Sequence, residues 1–133
     1  MPEVKSDTAI INSNSTDVFN FLADFRNFEK LMPEQVEDWE ATEEKCSFSI
    51  TGLAEVEMRI EEKILNKQII MVSEGRTPYP FELKCDLVGL NETQTEVVIS
   101  INAKMNPMMA MMAERPLRNL VQIMAEKLKE LKG

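Results

Sequence analysis

The sequence predicts an α+β fold, a curved antiparallel sheet of about seven strands wrapped around a long C-terminal helix, with two short helices after the first strand. Three patterns predict it. Between Val36 and Ala103 apolar residues recur with a period of two. From Leu117 to Leu131 they recur as a single helical stripe. Between these and the N-terminus lies a short segment with helix-start signals that ends at Pro33.

Residues Val4 to Asn12 suit a first strand. Asn14-Ser15-Thr16-Asp17 then supplies side chains that cap a helix N-terminus and an early acid that favours its dipole. Val18, Leu22 and Phe25 follow at helical spacing, as do Phe21, Phe25 and Phe28, so one helix is expected over about 16–23 and a second over about 25–31. Pro33 stops it.

Alternation then takes over. Trp39 and Ala41 alternate with acidic neighbours, and Cys46, Phe48 and Ile50 with serines. Ala54 to Glu61 alternates strictly over eight positions, the mark of a sheet with one buried and one wet face. Ile69 to Ser73 is apolar on both faces, leaving its orientation open. Phe81, Leu83, Cys85 and Leu87 form one row, and Val97, Ile99, Ile101 and Ala103 another. Turns are expected at Asn66-Lys67, from Gly75 to Pro80, and at Asn91-Glu92.

Asn106 is placed to cap the closing helix, with Pro107 at its first position. Leu117, Leu120, Val121, Met124, Leu128 and Leu131 make its apolar stripe, and Lys127, Lys129 and Lys132 suit the negative end of its dipole. A helix of roughly 25 residues would be about 37 Å long, enough to lie across a bent sheet. Pro116 is expected to kink it or split it near Arg115.

The chain has 133 residues, the size of a single domain, and 1–133 is expected to form one. Such a chain can bury roughly 70% of its unfolded surface. Its formal net charge is −8, with ten acidic and three basic residues between Glu34 and Lys63 but five basic and three acidic from Pro107 onward. Repulsion from phosphates argues against a nucleic-acid partner. No stretch approaches the roughly 20 apolar residues of a membrane span, so no stable membrane insertion is expected. The start, Met1 to Lys5, lacks the features of a secretory signal, which points to a cytoplasmic protein. Cys46 and Cys85 belong to no paired motif and are expected to be reduced and buried. The absence of histidine excludes nucleophile–histidine pairs and histidine-bearing metal sites. No cofactor and no metal are implied. Carboxylate chemistry stays open.

The element order, together with Ser15 to Asp24 (a capping residue, an acid, the pair Val18-Phe19 and a following Asp), Asn27-Phe28 and Met32-Pro33, resembles the START-like superfamily, also called SRPBCC. The resemblance covers the whole chain. It implies the helix-grip fold of the birch-pollen allergen and a hydrophobic cavity between sheet and long helix. Members of the family bind lipids, sterols, polyketides and quinones, and some are cyclases, hydroxylase subunits or co-chaperone modules. None of their functional residues transfers position by position.

Apolar candidates for lining such a cavity are Phe28, Trp39, Met58, Ile60, Val72, Tyr79, Phe81, Leu83, Ile99, Ile101, Met108, Met109, Met112, Leu120 and Met124. The run Met105 to Met112 holds five of the chain's ten methionines, a flexible surface suited either to filling core gaps or to lining a variable ligand site. Four methionines in five residues cannot all face one side of a helix. Polar candidates are Glu62, which shares the parity of Val56, Met58 and Ile60, and Arg76 and Arg115, placed to meet a ligand's polar head. Each has an ordinary alternative, a strand end or bulge for Glu62 and a solvated surface for the arginines. The sequence therefore favours non-catalytic binding of a small hydrophobic ligand, by a monomer or homodimer. Two alternatives remain, a cyclase or dehydratase working in the same cavity and an interaction module built on the methionines.

Overall fold

A computed structural model describes residues 3–50, 54–75 and 80–132. In chain order it contains β1 (Glu3–Lys5), β2 (Ala9–Ile11), α1 (Ser15–Leu22), α2 (Phe25–Phe28), a 3₁₀ turn (Glu29–Leu31), β3 (Val36–Ala41), β4 (Lys45–Ile50), β5 (Ala54–Ile64), β6 (Gln68–Glu74), β7 (Phe81–Asn91), β8 (Gln94–Ala103) and α3 (Pro107–Lys132). The strands form one antiparallel sheet in the order β1-β8-β7-β6-β5-β4-β3, with β2 also on β8. It has eight strands rather than seven because the expected first strand is broken at Ser6. There the Ser6 amide donates to the Ile99 carbonyl at 2.8 Å, while the Ser6 hydroxyl oxygen accepts from the Ile99 amide at 3.0 Å. A side-chain oxygen thus replaces a backbone carbonyl in the ladder, and β1 and β2 pair separately with β8.

The caps form where the residue types suggested. The Asn14 side chain accepts from the Asp17 amide at 2.9 Å and starts α1. Asp24 accepts from the Arg26 amide at 2.9 Å and starts α2, and its carboxylate also pairs with the Arg26 guanidinium at 2.7 Å. That guanidinium holds the Asp24 carboxyl below its ordinary range. The Asn106 side chain accepts from the Met109 amide at 2.8 Å and starts α3. α3 runs unsplit through Pro116, although a proline there removes the amide that would otherwise bond the Met112 carbonyl.

Two bulges reset the side-chain alternation. In β3 the register shifts between Glu37 and Glu40, with Asp38 in the left-handed region at φ 56°. The extra residue brings Val36 onto the same side as Trp39 and Ala41, which uninterrupted alternation would forbid. In β5 the register shifts between Ile60 and Glu62. Ile60 still faces buried Met71, but Glu62 now pairs with Ile70 and is exposed, whereas an unbroken strand would have put it on the buried row. The ambiguous strand β6 turns Ile69 and Met71 inward. Val72, opposite Arg59 and Glu82, lies on the other face.

Candidate functional site

Burial along α3 is uneven. Below the C-terminal half of α3, Val121, Met124, Ala125 and Leu128 are buried with Val97, Ile99 and Ile101 of β8 and with Val4 and Ile11. Polar ties fix this half. The Lys127 ammonium donates to the Met32 carbonyl at 2.8 Å, and the Gln122 side chain accepts from the Asp7 amide at 2.8 Å. The backbone of α3 runs closest to β8, β1, β2 and the 3₁₀ turn.

The N-terminal half of α3 differs. At 100° per residue, Ala110 and Ala113 lie within about 40° of Leu117, so its inward stripe is Ala110, Ala113, Leu117 and Leu120. All four are only partly buried. Two of them are alanines, where the other half presents Val121, Met124 and Leu128. Partly buried apolar side chains also pack against the core from the sheet: Val36, Trp39 and Ala41 on β3, Ile50 on β4, Ile60 on β5 and Phe81 on β7.

Trp39 is held on three counts. Its indole stacks on Phe48 with ring centroids 5.0 Å apart and an interplanar angle of 17°. Its Nε1–H donates to the Phe25 carbonyl at 3.0 Å, tying β3 to α2. The Asp38 bulge aims it. Beside it, a half-open pocket of about 740 Å³ is lined by Asp38, Trp39, Glu40, Ser47, Phe48, Ser49, Glu55, Val56, Glu57 and Gly75. Four of these ten are carboxylates, which gives the pocket a negative rim. Gly75 sits at φ 65° against the Glu57 carboxylate, where a Cβ would collide with it. Among the described residues none of this lining comes from α3.

The apolar candidates therefore fall into distinct places. Phe28, Met58, Leu83, Ile99, Ile101 and Met124 are buried in the common core. Trp39, Ile60, Phe81 and Leu120 are partly buried at its edge. Val72 lies on the opposite face of the sheet. Met109 is partly buried. Met108 and Met112, expected to line the cavity, are instead exposed, because nine residues separate Met108 from Leu117 and turn it by 180° around the helix. Arg115 is exposed on the same side. Tyr79 and Arg76 lie outside the described residues. Sequence reasoning missed Ala110, Ala113, Val36 and Ile50. The alanines were legible by counting turns back from Leu117. Val36 was hidden by the β3 bulge.

In sequence, the chain matches no family model and no curated protein. Its architecture is shared with solved structures. A START superfamily protein from Mycobacterium smegmatis aligns with a TM-score of 0.70 at 14% identity, over 97% of this chain and 98% of that one. The protein XoxI from Bacillus cereus aligns at 0.76 and 10% identity, over 99% and 96%. The di-domain ARO/CYC BexL from the BE-7585A biosynthetic pathway aligns at 0.76 and 13%, over 98% of this chain and 46% of that one. The chain has the START-like fold. At these identities the likeness concerns the fold alone. Within that START-like frame the grip of sheet on helix is tight at the C-terminal half of α3 and loose at its first three turns.

Proposed function

We propose that this START-like domain binds a small hydrophobic or amphipathic molecule between the first turns of α3 and the inward rows of β3, β5 and β7, without catalysis. The observation that carries this reading is the change in residue size along the inward stripe of α3. Ala110 and Ala113 share the helical face of Leu117 and are only partly buried, whereas the turns from Val121 onward carry fully buried Val121, Met124 and Leu128. Sites for small molecules are mostly apolar concavities with few polar groups. The solved structures that share this fold include a START superfamily protein and the di-domain ARO/CYC BexL, in keeping with a ligand-holding frame.

The pocket beside Trp39 that carries Asp38, Glu40, Glu55 and Glu57 takes no lining from α3, and Glu55 and Glu57 alternate with buried Val56 and Met58, so these carboxylates set no head-group preference for the proposed site. Binding is preferred to catalysis because the buried polar residues of the described interior are Ser6, Thr95 and Ser100. The Ser6 hydroxyl is committed to Ile99 and Asp7, and the Thr95 hydroxyl to the Ser13 carbonyl. Glu62, the carboxylate best suited to acid–base work by sequence, faces solvent.

Trp39 provides the assay. Purified protein is titrated with an alkyl alcohol, amine and acid of equal chain length while indole fluorescence is followed, and native mass spectrometry of freshly purified protein is run in parallel. The expected result is a saturable 1:1 change with at least one of the three, with a copurifying apolar adduct. No adduct and no saturable response to any of the three would sink the reading.

A further inference from the structure

The outward side of the first turns of α3 carries apolar surface that the interior does not use. Met108, Met111 and Met112 are 73%, 81% and 71% exposed. They stand at helical offsets of 0, 3 and 4, and Arg115 continues the line at offset 7, so they form one continuous stripe. Met108 points directly away from Leu117 and the sheet. The exposed charges around the stripe are Lys104, Arg115 and Arg118 against Glu114, whose carboxylate already holds the Arg118 guanidinium at 3.1 Å. A protein of net charge −8 thus presents an apolar strip with a basic border.

We propose that this stripe docks on a lipid surface carrying anionic head groups. The thioether side chains enter the boundary between head groups and acyl chains. Arg115, Arg118 and Lys104 lay their stems along the apolar surface and keep their charges at the phosphates. Among the described residues no helix is long and apolar enough to cross a membrane, so the contact is peripheral.

Two arguments choose lipid over a second copy of the chain. A stable dimer needs about 800 Å² from each partner, more than three methionine side chains supply. A two-fold pairing through this stripe would also bring the same positive border against itself. A bilayer requires no matching shape and accepts flexible methionines. The acidic residues gathered between positions 34 and 63 oppose docking only within a Debye length, about 8 Å at physiological salt.

The test uses the full chain without added ligand, so it is independent of the binding reading. The protein is sedimented with vesicles of phosphatidylcholine alone and of phosphatidylcholine mixed with phosphatidylglycerol, at low and high salt. The variants are Met108→Gln/Met111→Gln/Met112→Gln and Arg115→Gln, with circular dichroism to verify folding. The expected result is binding to the mixed vesicles that falls roughly tenfold or more in the triple variant, and severalfold in Arg115→Gln and at high salt. The proposal is overturned if the wild type ignores mixed vesicles, or if the triple variant binds them as the wild type does. It is also overturned if sedimentation velocity shows a dimer that the triple variant dissolves, which would assign the stripe to a second copy. A protein that takes up small molecules yet ignores vesicles refutes this inference and leaves the binding reading standing.

Discussion

Replacing Ala113 by leucine distinguishes an open helix–sheet interface from a filled one by the sign of its effect. Leucine adds three carbons on the inward stripe of α3, beside partly buried Leu117 and Leu120. If the space below is open, those carbons settle on apolar surface at about 0.8 kcal/mol each, a gain of about 2 kcal/mol. Fixing the leucine rotamer costs about 0.5–1 kcal/mol, and helix propensity changes little, so the net stabilisation is about 1 kcal/mol. If the space is filled, the same leucine overpacks it and costs about 1–3 kcal/mol. Ala125, about three turns further and 1% exposed, is the internal control, and Ala125→Leu should destabilise by that amount. Urea unfolding followed by circular dichroism measures both, and a gain of 1 kcal/mol should appear as about 3–5 °C in Tm. Ala113→Leu should also weaken any ligand response of Trp39, since it occupies the proposed site. An Ala113→Leu protein as destabilised as Ala125→Leu would refute the idea of a loose grip at the first turns of α3.

Two further outcomes follow from described contacts. Trp39→Phe strands the Phe25 carbonyl that now accepts from the indole at 3.0 Å and shrinks the stack on Phe48, for a loss of about 2–3 kcal/mol in urea unfolding; a loss below about 0.5 kcal/mol would mean that the indole anchors nothing. Burial pushes the Cys46 thiol up to about 12 and raises that of Cys85 as well, the latter helped by the charge of Asp86. Because both lie above the ordinary value of 9.0, the native state holds protons that the unfolded chain releases. Stability is then full below pH 9 and falls between pH 9 and about 12, by at most about 1.4 kcal/mol per pH unit for each thiol. A Cys46→Ala/Cys85→Ala variant should lose stability less steeply over that range, and equal slopes would contradict this account.

Much of the architecture could be read from local chemistry. Asn14 and Asn106 mark helix starts because their side chains accept amides that a helix leaves unpaired, and these bonds form. The rows in β7 and β8 keep their parity over the buried stretch, so Leu83, Cys85, Ile99 and Ile101 fell inward as counted. Counting failed wherever one residue was inserted into a ladder. A bulge leaves no signature in apolar spacing beyond a change of phase, so nothing marked the shift at Asp38 that brings Val36 onto the side of Trp39, whereas at Glu62 the parity conflict left a bulge among the readings and the bulge is what forms. The break at Ser6 was equally silent, since a serine in a strand usually keeps its backbone in the ladder. The site was less legible than the fold for a different reason. Large side chains draw attention to a cavity, but the partly buried positions in the first turns of α3 include alanines, and Met108, Met111 and Met112 face away.

The pairing of β1 and β2 with β8 also sets an order of events during synthesis. Val4 must meet Ile101 and Ile11 must meet Thr95, so the first strands have no partner until about a hundred residues have been made. At about 5–20 residues per second that interval is roughly 5–20 s, during which Val4, Ile10 and Ile11 are exposed to any other nascent strand. The meander from β3 to β7, by contrast, joins each strand to the next and can assemble as it emerges. The short length of β1 and β2, three residues each and interrupted by Ser6, limits what a wrong partner can gain from them while they wait.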